Sequence, residues 1–223
     1  MTGVQTCALP ISIVTSRDNV KTLKDIEGKE LAGARSTTNY QMAEFFLKKQ
    51  GVDLGKLKVV NTAPPGLVSY AVADRADAVQ IWEPAYTLML AKKPSIRTLD
   101  LGIAKTWKDF GGNTLPYLGV GAHADWADAN PGAVQKLYTT YKDAVEWVQK
   151  NPEEAAPMLA KGAPPEELKA VAAMIKSNER LAMKLTKAAD VRKDIEAVYK
   201  AGMEINYLPS MPSAASVYDK PLK

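Results

Sequence analysis

Between Ser12 and Leu101 the sequence switches repeatedly between short runs rich in β-branched residues and helical segments, with few residues between them. Ser12 to Ser16 reads as a strand, and so do Glu30 to Ala34, Leu57 to Asn61, Asp77 to Trp82 and Ile96 to Leu99. Thr22 to Ile26 reads as a helical turn stopped by Gly28. Ser36-Thr37-Thr38 places three capping residues ahead of a helix from about Asn39 to Gln50, with Met42, Phe45, Phe46 and Lys49 along one stripe. Pro64-Pro65 opens a second helix through Val72, because proline suits a first helical position. Glu83-Pro84 opens a third to about Ala91. Strands joined by helices run parallel, and a parallel sheet must be covered on both faces. The expected class is therefore α/β.

The second half has a different texture. Thr114 to Val120 is one apolar strand, and the chain after it reads as nearly all helix. Asn130-Pro131 opens a helix with Val134, Leu137, Tyr138, Tyr141, Val145 and Val148 on one face. Asn151-Pro152-Glu153-Glu154 and Pro164-Pro165-Glu166-Glu167 open two more, with acidic residues at the positive end of each helix dipole. A last helix is predicted from about Ala188 to Ala201. Lys+Arg (29) nearly balance Asp+Glu (25), and no Lys/Arg block stands out, so a nucleic-acid partner is not expected. No run approaches the roughly 20 apolar residues of a membrane helix.

Met1 to Ile11 carries no charged side chain and resembles the conceptual translation of a sequencing-library adapter. Set aside as foreign, it takes with it Cys7, the only cysteine, and with that cysteine goes thiol chemistry. It also leaves the natural N-terminus and any signal peptide upstream.

Asp25-Ile26-Glu27-Gly28-Lys29, the Ser36-Thr37-Thr38 turn, Ala73 to Ala78 and Trp82-Glu83-Pro84 then occur in order. Asn130-Pro131-Gly132-Ala133-Val134 and Asn151-Pro152-Glu153-Glu154-Ala155-Ala156 follow. This ordered set resembles the substrate-binding proteins of ABC importers for nitrate, sulfonates, taurine and thiamine-type pyrimidines, over about Ser12 to Tyr218. The resemblance implies a type II periplasmic-binding-protein-like fold, in which two lobes enclose a cleft. It implies a crossing strand at 12–19, a complete second lobe at 20–101, and a return strand plus C-terminal helices of a truncated first lobe at 102–223. It further implies a monomer outside the cytoplasm, periplasmic or membrane-anchored, that takes a small anionic or zwitterionic ligand to an importer permease. No cofactor or metal is expected.

Ser36, Thr37 and Thr38 follow a strand and open a helix, where hydroxyls and free N–H groups favour an anion. The same residues also make an ordinary N-cap. Tyr40 in the first turn lines the cleft or packs. Glu83, with Trp82 as an apolar wall, accepts from a ligand amine or caps the next helix. Asn61 and Thr62 end another strand and are weaker candidates, since Asn-Thr is common turn chemistry. His123 is the only histidine and finds no thiol or triad partner in the sequence. An enzyme of the thiamine-pyrimidine synthase type would need a cysteine-rich motif, and a sensor domain would need a fused signalling module; neither is written in this chain.

Overall fold

The computed structural model describes residues 4–7 and 11–222. The strands and α-helices run β1 (Val4–Cys7), β2 (Ser12–Thr15), β3 (Glu30–Gly33), α1 (Thr38–Lys49), β4 (Lys58–Asn61), α2 (Pro64–Val72), β5 (Ala78–Ile81), α3 (Ala85–Lys92) and β6 (Arg97–Leu99). They continue with α4 (Ile103–Phe110), β7 (Pro116–Gly119), α5 (Ala124–Ala129), α6 (Pro131–Lys150), α7 (Pro152–Leu159), α8 (Pro165–Ser177), β8 (Leu185–Lys187) and α9 (Arg192–Glu204).

Strands β2 to β6 form one sheet in the order β4-β3-β5-β2-β6. β3 pairs in parallel with β4 and with β5. β2 lies between β5 and β6 and runs antiparallel to both. The sheet is thus mixed rather than wholly parallel: β3 to β6 share one direction and β2 enters against them. A strand that arrives without a crossover helix carries no sign of its direction in the helix–strand alternation.

Side chains alternate across this sheet. Ile13, Leu31 and Ala78 face α1 and join Phe45, Phe46 and Leu47 in one cluster. Val14, Ala32 and Val79 face the other way, toward Leu67 and Ala71 of α2 and Met89 of α3. With helices on both faces, β5 is buried at all four positions. From β3 the chain passes through α1 to the edge strand β4, then returns through α2 to β5 on the far side of β3. The connections leaving β3 and β5 therefore diverge to opposite faces. Such a divergence opens a crevice at the carboxyl ends of the two strands, where α/β sheets bind ligands.

A second sheet, β7-β1-β8, is antiparallel throughout. Its central strand, β1, comes from the segment set aside above as an adapter translation, and Ile11 of that segment is buried in the α1-side core. Residues 1–3 and 8–10 lie outside the described residues. α7 and α8 share a cluster that also receives Leu88 from α3. Ala197 and Ala201 of α9 pack into the core around α1.

Candidate functional site

The carboxyl ends of β3, β4 and β5 carry most of the residues singled out from the sequence. Ser36 and Thr38 stand exposed at the start of α1, and Thr37 is half-buried. Thr37 is the N-cap: its Oγ1 accepts from the Tyr40 N–H at 3.2 Å and donates to the Ala34 carbonyl at 2.7 Å. The hydroxyls of Ser36 and Thr38 are therefore the ones placed beside the positive end of the helix dipole on the solvent side.

Asn61 and Thr62 brace this loop from β4. Asn61 Oδ1 accepts from the Arg35 N–H at 3.1 Å, and the Thr62 N–H donates to the Gly33 carbonyl at 3.1 Å. They fix the path of the loop that carries the α1 N-terminus.

Tyr40 is fully buried. The edge of its ring abuts Gly33: a Cβ on Gly33 would sit 2.5 Å from ring atoms Cδ2 and Cε2, so only glycine fits there. Burial raises the Tyr40 phenol above its usual pKa, and the Glu44 carboxylate one turn along α1 adds to that shift through its charge. The hydroxyl faces that carboxylate, and hydrogen bonding to it pushes the shift the same way.

After β5, Trp82 is half-buried and packs against the α2–α3 cluster. Glu83 is buried with both oxygens engaged. Oε2 accepts from the Thr87 N–H at 3.1 Å, which caps α3, and Oε1 accepts from Arg180 Nε at 2.6 Å. The same guanidinium donates to Thr87 Oγ1 at 3.1 Å and lies over the Tyr86 ring, 4.9 Å from its centroid. His123 stands apart, exposed at the start of α5. Among the described residues no group of His, Cys, Asp and Glu is placed to hold a metal ion.

Gln80 was not singled out from the sequence. It sits on β5 beside Gly33 with no exposed surface, and both ends of its amide lack a hydrogen-bond partner. A glutamine inside an apolar strand, Ala78-Val79-Gln80-Ile81, is the signal that could have found it.

A mixed sheet with helices on both faces, whose connections diverge at the carboxyl ends of β3 and β5, defines an α/β protein. Residues 5–155 match the NMT1/THI5-like family, and the chain belongs to that family. It is 24% identical over 148 residues to a protein of Brucella abortus (strain 2308) named as a binding protein, an alignment covering 66% of this chain and 45% of that one. The chain thus spans about 45% of the length of the curated relatives it matches. Among solved structures, the alkanesulfonate-binding protein SsuA of Xanthomonas axonopodis pv. citri, bound to MOPS, superposes with a TM-score of 0.69 at 20% identity, over 97% of this chain and 72% of that one. The periplasmic aliphatic sulphonate-binding protein SsuA of Escherichia coli gives 0.69 at 18%, over 94% and 68%. The periplasmic nitrate-binding protein NrtA of Synechocystis PCC 6803 gives 0.61 at 16%, over 92% and 60%. These likenesses establish the fold. No helix among the described residues is long and apolar enough to cross a membrane.

Proposed function

We propose that this chain belongs to the solute-binding component of an ABC importer, which captures a small oxyanion-bearing organic molecule and presents it to a permease. The observation that carries this reading is the α1 N-terminus at the diverging connections of the sheet, with the Ser36 and Thr38 hydroxyls exposed beside it. A helix N-terminus there stabilises a sulfonate, carboxylate or similar group without a fixed positive side chain. Family membership and the sulfonate- and nitrate-binding structural neighbours support the same class. In this reading residues 20–101 form one lobe, residues 12–19 and Thr114 to Val120 cross between lobes, and residues 102–223 build on the other lobe, except that Trp107 of α4 and Ala197 and Ala201 of α9 pack into the core around α1. The protein acts as a monomer outside the cytoplasm and performs no chemistry on its ligand. Tyr40 packs beneath the anion loop against Gly33, and Trp82 packs on the α2–α3 side. Asn61 and Thr62 position the anion loop, and Glu83 holds the β5 side of the crevice in place.

Calorimetry with ethanesulfonate, taurine and nitrate tests the assignment. Replacing Thr37 and Thr38 together with alanine removes a hydroxyl from the site and the cap that shapes it. The affinity for whichever probe the parent binds is expected to fall about tenfold or more, since each charge-assisted hydrogen bond is worth about 1.5–3 kcal/mol. An unchanged affinity in the double variant would reduce these residues to a helix cap.

A further inference from the structure

The Gln80 side chain is the polar group in this fold whose environment is least explained by folding. It lies in the middle of a sheet covered on both faces, at 0% exposure, with neither Oε1 nor Nε2 partnered. Leaving such a group unpaired is costly, and native proteins keep few of them without a functional reason. Its position gives that reason. Gln80 and its β5 neighbour Ala78 point to the α1 side of the sheet, where Ala78 packs into the α1 cluster. The Gln80 Cβ would stand 3.8 Å from a Cβ on Gly33, and the Tyr40 ring occupies that same spot over Gly33. The amide is therefore beneath the first turn of α1, between the diverging ends of β3 and β5.

We propose that Gln80 is a specificity-determining residue of the cleft, whose side-chain amide hydrogen-bonds the oxyanion end of the ligand held at the α1 N-terminus. The proposal rests on the anion-site reading given above and adds to it a residue from the neighbouring strand. An amide N–H supplies directional recognition without charge, so it complements the neutral donors of the helix terminus rather than competing with them. Because Gln80 has no exposed surface, a ligand reaches the amide when the Tyr40 ring moves off Gly33. Tyr40 thereby becomes the movable cover of the subsite.

The test uses Gln80→Met, which keeps the length of the side chain and removes its hydrogen bonding. Two readouts are taken on purified protein: the Tm without ligand, and the calorimetric affinity for ethanesulfonate and for taurine. If the amide serves the ligand and not the fold, removing it relieves an unpaired buried group. The ligand-free Tm then rises by about 2–4 °C, the shift expected for a small stability gain at this chain length. The affinity for the bound probe falls about tenfold or more. Both changes are required. A variant that melts lower, or fails to fold, shows that Gln80 serves the fold and overturns the proposal. A variant that melts higher but binds as the parent does overturns it equally. Thr38→Ala separates the two levels of inference. If it weakens binding while Gln80→Met does not, the anion site stands and the Gln80 assignment falls. If the parent binds neither probe, both fall.

Discussion

The ion pair between Glu83 and Arg180 shows how one residue changes meaning once its surroundings are known. Glu83 is 7% exposed, and its two oxygens meet the Thr87 N–H and the Arg180 guanidinium. Half of the Arg180 side chain, 49%, remains exposed. Removing one partner from a fully buried pair costs about 3–5 kcal/mol, and exposed pairs are worth about 1 kcal/mol or less, so Arg180→Met is expected to cost about 1–3 kcal/mol. Glu83→Gln should cost less, because the Thr87 cap survives. Urea unfolding of the two single variants and the double measures their coupling. A parent-like midpoint for Arg180→Met would show that the pair contributes nothing. The capping role of Glu83 was readable from its place before a helix. Its second partner was not, because Arg180 lies 97 residues further along the chain and only the tertiary fold brings it near. Gln80 was open to reading for the opposite reason: its strangeness is local, a polar amide in an apolar strand, and needs no distant partner to be seen.

At the scale of elements, the N-terminus of α1 combines a structural and a binding role that single variants can separate. Thr37 makes the cap, whereas Thr38 is exposed outside it. Thr37→Ala is expected to cost about 1 kcal/mol of stability, the usual value of an N-cap. Thr38→Ala should leave the unfolding midpoint where it is and act only on ligand affinity. A Thr37→Ala protein as stable as the parent would contradict the cap. The elements legible in the sequence are those with their own start and stop signals: α1, α2, α6, α7 and α8 open at Thr or Pro near the expected positions. Those that escaped lack such signals or depend on pairing. α4 spans eight residues between Gly102 and Gly111, both in the left-handed region at φ 56 and 102, and no side chain caps its start. β8 is three residues, Leu185–Lys187, and exists as a strand through its register with β1. The last helix was expected to begin at Ala188; a 3-10 turn occupies Ala188–Val191, and α9 follows and runs past Gly202 to Glu204.

At the scale of the whole molecule, the five-stranded sheet is tied to the rest of the chain from both of its faces. On one face α3 meets α8: Lys92 pairs with Glu167 at 2.5 Å, and Leu88 enters the α7–α8 cluster. On the other face α9 packs into the core around α1 and carries Asp194, which is 6% exposed. The Asp194 carboxylate accepts from the Asn113 N–H at 2.7 Å, the Thr114 N–H at 3.1 Å and Thr114 Oγ1 at 2.5 Å. Trp107 Nε1 holds the Thr114 carbonyl at 2.7 Å. The entrance to β7, where the chain leaves one sheet for the other, is thus pinned on its N–H and its C=O sides. Asp194→Ala strips three donors of their acceptor. Asn113 and Thr114 are themselves exposed, so water replaces much of the lost bonding, and a net loss of about 1–3 kcal/mol is expected. The tryptophans report where that loss is felt. Trp82 and Trp107 belong to the core of the five-stranded part, while Trp126 and Trp147 lie on α5 and α6. With both faces tied, the parent should unfold in one transition, with fluorescence and far-ultraviolet circular dichroism coincident in urea. Asp194→Ala should lower the midpoint yet keep the two signals together, because the α3–α8 contact still couples the parts. Adding Arg180→Met weakens that remaining tie, and the fluorescence and dichroism curves should then separate. An Asp194→Ala midpoint equal to the parent's would mean that the buried carboxylate does not hold the crossing. A double variant that still unfolds in one coincident step would place the coupling in the apolar contacts of α9 and α8 rather than in these two polar pins.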